Sequence, residues 1–68
     1  MKVFVQTKRK ILFIDCEPTD SMQDIKERVL LLSTAPGSQL QYCGQEVEYA
    51  KTLRDYNILH TGYVLKWV

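Results

Sequence analysis

The sequence predicts an α+β domain in which a mixed sheet of four to five strands packs on one α-helix. Three observations lead to this prediction: two alternating segments near the start, one amphipathic segment with helix-start residues, and an alternating segment at the end. Strands on both sides of one helix are typical of folds in which the helix covers one face of a sheet. We expect residues 1–68 to form a single domain.

The first two strands are predicted to form an antiparallel hairpin. Residues 1–7 alternate in polarity, with Val3 and Val5 on one face, which is typical of a half-buried strand. Residues 8–10, Lys-Arg-Lys, are a short link to a second apolar run at residues 11–16. A link this short joins antiparallel neighbours, because parallel strands need a crossover of about a dozen residues.

The second apolar run has hydrophobic residues on both faces. A strand sends alternate side chains to opposite faces of its sheet, so Ile11 and Phe13 should point outward. The side chains assigned to the core are Leu12, Ile14 and Cys16. A shift of one residue in register would exchange the faces. Such a shift is disfavoured because it would turn Asp15 inward.

The segment after the second strand contains residues that are typical of a helix N-terminus. Ser21 is a favourable N-cap, and Asp24 follows it in the position of a capping box. Leu31 points away from the face that should meet the sheet, and Leu30 lies at its border. The residues predicted to form that core face are Met22, Ile25, Val29 and Leu32.

Short elements are predicted after the helix. Residues 33–38 indicate a loop, and residues 39–43 alternate as a short strand. A turn then leads to a brief strand around Val47, and residues 51–58 form a compact polar turn.

The final strand is oriented by one lysine. Burying Lys66 would be costly, so it should face solvent together with Val64. The alternate residues, Tyr63, Leu65 and Trp67, should then face the core.

Composition argues against several classes of partner. Lys plus Arg number 9 and Asp plus Glu number 8, so a net charge of +1 gives no general attraction to nucleic acid or anionic membranes. The basic cluster at residues 8–10 is more typical of a solvated turn. Apolar runs stay far below the about 20 residues of a transmembrane helix, and no secretory signal is seen. We expect no nucleic-acid or membrane partner and a cytoplasmic or nuclear location.

Catalysis and metal binding are not expected either. Cys16 lies on the core face and Cys43 precedes a turn glycine; without a secretory signal, both should be reduced. Cys43 and His60 are the nucleophile-and-base pair worth testing, but no motif supplies an orienting group or an oxyanion hole. The cysteines and histidine lack zinc-site spacing, and the glycines form no phosphate loop. We therefore expect no enzyme activity and no cofactor.

Three motifs, taken in order, resemble the ubiquitin family. Residues 1–7 resemble its opening Met-Gln-Ile-Phe-Val-Lys-Thr, and residues 17–26 are similar to Glu-Pro-Ser-Asp-Thr-Ile-Glu-Asn-Val-Lys. Residues 51–58 resemble Arg-Thr-Leu-Ser-Asp-Tyr-Asn-Ile and are the most specific match. The resemblance covers the whole chain and implies the β-grasp fold. It also implies that Tyr56 ties its loop to nearby backbone.

The positions of the family's apolar binding patch have become polar. They fall at Lys8, at Gln41 and, with one residue deleted before the last strand, at Lys66. Each large apolar side chain buried in an interface contributes about 1.5–3 kcal/mol. The resemblance therefore implies that common ubiquitin-binding domains and the proteasome should not engage this chain as they engage ubiquitin.

Two further positions differ from the family in their chemistry. The lysine through which the family builds its best-known chains falls at Gln45, so we expect no polymer through that site. Lys26 matches a family lysine whose stem is partly buried, but the position of its acidic partner is Tyr49.

An apolar surface is predicted where the family is polar. Ile11 and Phe13 stand at family threonine positions, and Phe4, outward in both, should be their cross-strand neighbour. Val64 should lie beside Phe4, because the last strand of this fold pairs with the first. A contiguous exposed apolar patch usually marks a binding site.

The resemblance and its departures lead to a functional hypothesis. We expect a non-conjugated ubiquitin-like protein–protein interaction domain, either an adaptor or the N-terminal module of a larger protein. Its binding residues should be Phe4, Ile11, Phe13 and Val64, with Leu30 and Leu31 as a second, weaker surface. The alternative is a modifier truncated before a C-terminal Gly-Gly tail, which the reading frame past Val68 would reveal. Self-association or a stable complex through the hairpin face is a further possibility.

Overall fold

The computed structural model describes residues 1–33 and 37–68. Within them the strands are β1 (Lys2–Gln6), β2 (Ile11–Asp15), β3 (Leu40–Tyr42), β4 (Gln45–Glu46) and β5 (Val64–Trp67), with helix α1 at Met22–Leu32. They form a sheet in the order β2-β1-β5-β3-β4 packed against α1. The central pair β1 and β5 is parallel, and the other pairs are antiparallel. This is the predicted α+β fold, with a β-grasp-like topology.

The β1–β2 hairpin has the predicted faces. Phe4 pairs with Phe13 and Val5 with Leu12, so core residues oppose core residues across the pair. The hydroxyl of Thr7 shapes the link between the strands. It donates to the Lys10 carbonyl at 2.8 Å and accepts the Lys10 N–H at 3.0 Å. The side chains that the hairpin buries are Val3, Val5, Thr7, Leu12, Ile14 and Cys16.

Helix α1 begins at the predicted cap. The Asp24 N–H donates to Ser21 Oγ at 3.1 Å, and the Ser21 N–H donates to Asp24 Oδ2 at 3.1 Å, which completes the capping box. Met22, Ile25 and Val29 are buried as predicted.

The prediction that Leu32 belongs to the core face is wrong. Leu32 is 56% exposed, although its spacing continues that of the buried residues. The last turn of α1 lies beside β2, the edge strand of the sheet, where the described residues supply no further strand to pack on. Helical periodicity therefore predicts the correct face but not the point at which the sheet ends.

The turn between β3 and β4 explains a small displacement from the prediction. Cys43 and Gly44 both have positive φ, 54° and 80°, as tight two-residue hairpin turns require. The brief strand expected around Val47 therefore starts at Gln45 and ends just before Val47, which is buried. Residues 34–36 of the loop predicted at 33–38 lie outside the described residues.

The polar turn at residues 51–58 has the role that the resemblance implies. It contains a short 3₁₀-helix, Arg54–Tyr56, and buries Leu53 and Ile58. The Tyr56 hydroxyl accepts the Glu48 N–H at 2.7 Å and so ties the turn to nearby backbone.

The final strand has the predicted orientation. Leu65 and Trp67 are buried, whereas Val64 and Lys66 are exposed. Tyr63, predicted to face inward, is half-buried and packs against the edge of the core.

Candidate interaction surface

The outward face of the sheet carries a line of apolar side chains, which we call the apolar row: Phe13, Phe4 and Val64. The register pairs Phe13 with Phe4 and Phe4 with Val64, so β2, β1 and β5 bring them side by side. Phe13 is 63% exposed and Val64 is 49% exposed. The rings of Phe4 and Phe13 meet edge-on, with centroids 5.2 Å apart and planes at 82°. Such aromatic pairs contribute about 0.5–1.5 kcal/mol beyond the area they bury, which favours this mutual arrangement of the two rings.

The next line along the same strands is the polar row: Gln6, Lys66, Gln41 and Glu46. The register pairs Gln6 with Lys66, Lys66 with Gln41 and Gln41 with Glu46. Ile11, which pairs with Gln6, is the apolar end of this line on β2. The four predicted binding residues therefore come together, with three in one row and Ile11 diagonal to Phe4.

Two of the three polar positions that align with the apolar patch of ubiquitin belong to the polar row. Lys66 and Gln41 are direct cross-strand neighbours. Lys8 is exposed in the hairpin link and borders a shallow depression of about 180 Å³ with Gln6 and Lys66. These side chains form a hydrophilic area beside the apolar row.

The second predicted surface lies at the end of α1. Leu31 is 84% exposed, and Leu30 is also exposed. A groove of about 430 Å³ separates this helix end from β2. Its lining residues are Phe13, Ile14, Asp15, Arg28, Leu31 and Leu32. Because Phe13 borders this groove and also belongs to the apolar row, the two predicted surfaces meet at the β2 edge.

Arg28, which lines the groove, makes contacts that the sequence did not reveal. Its Nη1 donates to the Asp15 carbonyl at 3.1 Å and to Asp20 Oδ2 at 2.8 Å. The hydrogen bond from Arg28 lowers the pKa of the Asp20 carboxyl, with help from the Glu17 backbone N–H. The same contact raises the pKa of Arg28. The pair joins the helix to the segment that follows β2.

Lys26 contacts Tyr49, the residue that aligns with the acidic partner of the corresponding lysine in the ubiquitin family. This agrees with the prediction made from the resemblance. Lys26 Nζ lies 4.8 Å from the centroid of the Tyr49 ring, as in a cation–π contact. The Tyr49 hydroxyl accepts the Leu40 N–H at 3.1 Å and donates to Glu46 Oε2 at 3.0 Å. Burial raises the pKa of Tyr49.

A cluster of aromatic side chains forms around Tyr42 on β3, and it was not predicted from the sequence. Tyr42 meets Tyr56 and Tyr63 edge-on, at centroid distances of 6.0 Å and 6.4 Å. The His60 ring lies 4.9 Å from that of Tyr63, and its Nδ1 is 3.0 Å from the Thr61 carbonyl. These residues are dispersed in sequence, so only the tertiary fold assembles them.

The cysteines lie in different environments. Cys16 is buried, and burial raises the pKa of its thiol. Cys43 is exposed in the tight turn. That Cys43 and His60 do not form a catalytic pair remains a prediction.

Across residues 1–33 and 37–68, no three His, Cys, Asp or Glu side chains form a group that could hold a metal ion. Within the same residues, no helix is long and apolar enough to cross a membrane. The chain matches no model of a known protein family.

Proposed function

We propose that this chain is a ubiquitin-like protein-interaction domain that acts without being conjugated, as an adaptor or as a module of a larger protein. Its binding surface is the apolar row together with Ile11. The observation that carries the proposal is the alignment of Phe13, Phe4 and Val64 across three strands, with Phe13 and Val64 about half-exposed or more. The three motif resemblances and the β-grasp-like topology support the family assignment.

The surroundings of the apolar row suit a protein interface. On one side, Lys2 pairs with Asp15 across β1 and β2, and on the other side lies the polar row. An apolar centre with a polar rim is the usual anatomy of a protein–protein interface. Aromatic residues are over-represented among the side chains that dominate binding energy. Phe13, the most exposed member of the row, is therefore the expected anchor.

The polar row supports a partner different from those of ubiquitin. Lys66 and Gln41, which are cross-strand neighbours, align with two of the three positions that are apolar in ubiquitin. A partner shaped for that apolar patch would have to desolvate Lys66 without a matching charge, which is costly. Cys16 and Cys43 are not joined by a disulfide, which agrees with the cytoplasmic or nuclear setting that we propose for the interaction.

Capture from an extract of the source organism tests the proposal with a matched control. Three forms of the chain are immobilised: wild type, Phe13→Asp and Lys66→Asp. Both substitutions place an aspartate at an exposed position on the same face, so both variants should stay folded by circular dichroism. We expect a protein that is retained by wild type and Lys66→Asp and lost with Phe13→Asp. A Phe4→Ala/Phe13→Ala double variant that captures the same protein at wild-type level would contradict the surface assignment.

A further inference from the structure

We infer that the edge of β2 pairs antiparallel with β2 of a second copy of this chain, giving a two-fold dimer with one continuous sheet. The inference goes beyond the proposed function, because pairing uses the edge of the strand and leaves its outward face open. In such a dimer the apolar rows of the two copies would join into one longer surface.

The hydrogen bonds of the hairpin show which backbone groups face the edge. The Cys16 N–H donates to the Met1 carbonyl at 2.9 Å, and the Thr7 N–H donates to the Lys10 carbonyl at 2.8 Å. Even-numbered residues of this segment therefore turn their backbone groups toward β1. Because direction alternates along an antiparallel strand, Ile11, Phe13 and Asp15 turn theirs to the open edge.

The two edges of the sheet differ in how well they are protected. At one edge, β4 has 2 residues, both exposed and polar. At the other, β2 has 5 residues, two of which are the exposed hydrophobic residues Ile11 and Phe13. Short or charged edge strands resist pairing, whereas longer apolar edges invite it. Arg28 already binds the Asp15 carbonyl, so the groups left for a new strand are those of Ile11 and Phe13 and the Asp15 N–H.

Symmetry and burial narrow the possible registers, and we take the one centred on Phe13, because Phe13 is the middle residue of β2 and this register pairs the strand over its whole length. The core faces of two copies line up only if odd-numbered residues oppose odd-numbered residues. An axis through Phe13 then places Phe13 opposite Phe13 of the second copy and Ile11 opposite its Asp15. The two Phe13 residues exchange a pair of hydrogen bonds, and each Asp15 N–H can donate to the second copy's Ile11 carbonyl, about four bonds in total.

Charge complementarity identifies the occupant as a second copy. One end of β2 is preceded by the basic residues 8–10, and the other end carries Asp15 and Glu17. Antiparallel pairing brings the basic end of each copy to the acidic end of the other. The register centred on Phe13 brings the link that carries Arg9, just before β2, to the end of the second copy's β2, where Asp15 and Glu17 lie within reach of a long side chain. Parallel pairing would bring like charges together instead.

The exposed leucines of α1 fit the same arrangement. Leu31 and Leu32 line the groove beside β2, on the helix-bearing side of the sheet. A two-fold axis through the β2 edge places the helix ends of both copies on that side, close to the axis. The second copy would therefore cover apolar side chains that one copy leaves 84% and 56% exposed.

A charge exchange between Arg9 and Glu17 tests the register. Within one copy these residues lie beyond opposite ends of β2, which spans about 17 Å at about 3.3 Å per residue, so they are too far apart for a direct contact. Sedimentation equilibrium over a range of concentrations should show wild type shifting to twice its 8.0 kDa mass. Arg9→Glu and Glu17→Arg should each weaken the dimer about tenfold, because each affects two symmetric contacts. Arg9→Glu combined with Glu17→Arg should restore it.

The control is Arg54→Glu, which makes the same charge change on the exposed 3₁₀-helix and should leave the dimer unchanged. Wild type that stays monomeric at every accessible concentration would overturn the inference. So would single variants that weaken a dimer which the double variant fails to restore. Arg9→Glu lies outside the apolar row, so it should still capture the proposed partner; loss of the dimer and loss of the partner are thus distinguishable.

Discussion

The apolar row and the polar row lie about 7 Å apart on the same strands, given about 3.3 Å per residue, yet their chemistry is opposite. Both face outward, and the residues between them, such as Val5 and Leu65, are fully buried on the inner face. The inner face alone therefore supplies the core that the fold needs. Because folding does not require either outer row to be apolar, the difference between the rows carries information about binding.

Agreement with the ubiquitin motifs and departure from the ubiquitin pattern occur in different parts of the structure. Tyr56, in the most specific of the matching motifs, makes a contact that holds the fold together. Phe13 and Lys66, which depart from the pattern, lie on the outer face of the sheet, one in each row. This contrast agrees with the proposed function, in which the resemblance to ubiquitin extends to the fold and not to the binding surface.

Neighbouring residues of β5 give the largest effect that the comparison predicts. Leu65→Ala should lower the free energy of unfolding by about 2–5 kcal/mol, because it removes a fully buried side chain and leaves a cavity. Val64→Ala, on the exposed face, should cost less than about 1 kcal/mol. Urea denaturation of both variants measures the difference. Equal losses would show that the apolar row is part of the core rather than a surface.

Making the polar row resemble the family's patch should produce new binding. The triple variant Lys8→Leu, Gln41→Ile and Lys66→Val should bind a ubiquitin-associated domain at least about tenfold more tightly than wild type. The reason is that each restored apolar side chain can contribute about 1.5–3 kcal/mol on burial. Titration followed by NMR measures both affinities. Tight binding by wild type would contradict the claim that its polar row excludes such partners.

The smallest predicted effect concerns the ionic contact that anchors the end of β2. Arg28 holds the pKa of Asp20 below its ordinary value of 3.8. The folded state therefore binds fewer protons, so this stabilisation is complete above the unfolded-state pKa and is lost as the pH falls through the folded-state pKa. The effect should be small, because the Arg28 side chain is 38% exposed and solvent screens the pair.

Asp20→Asn should remove this part of the acid dependence. Melting temperatures measured between about pH 2 and about pH 6 should fall less steeply with acid for the variant than for wild type. Asp55, whose pKa is lowered by hydrogen bonds from Thr52, is unchanged in the variant and keeps a residual slope. Parallel curves for the two proteins would show that the Arg28–Asp20 contact has no role in stability.

Local patterns predicted most of the fold because they act over few residues. Alternation assigned the faces of β1, β2 and β5, and the Ser21–Asp24 capping box placed the start of α1. Leu32 was assigned to the core because periodicity does not show where the sheet below a helix ends.

The sequence predicted which residues belong to the candidate site, but it did not predict how they line up across the strands. Alternation gives the outward face of each strand, whereas the alignment of Phe4 with Val64 depends on the parallel pairing of β1 with β5. That pairing was expected only from the family resemblance. The contacts of Arg28 and the tyrosine cluster around Tyr42 join distant segments, so they could not be found from local sequence patterns.

Photo-crosslinking in cells of the source organism tests the central claim most directly. A benzophenone amino acid is placed at position 13 in one form of the chain and at position 66 in another, so that each row carries a probe on the same exposed face. We predict a covalent adduct with a protein other than the chain itself from position 13, and little or none from position 66. The assignment of binding to the apolar row would be contradicted if adducts with another protein formed from position 66 alone. It would also be contradicted if both positions gave such adducts in equal yield.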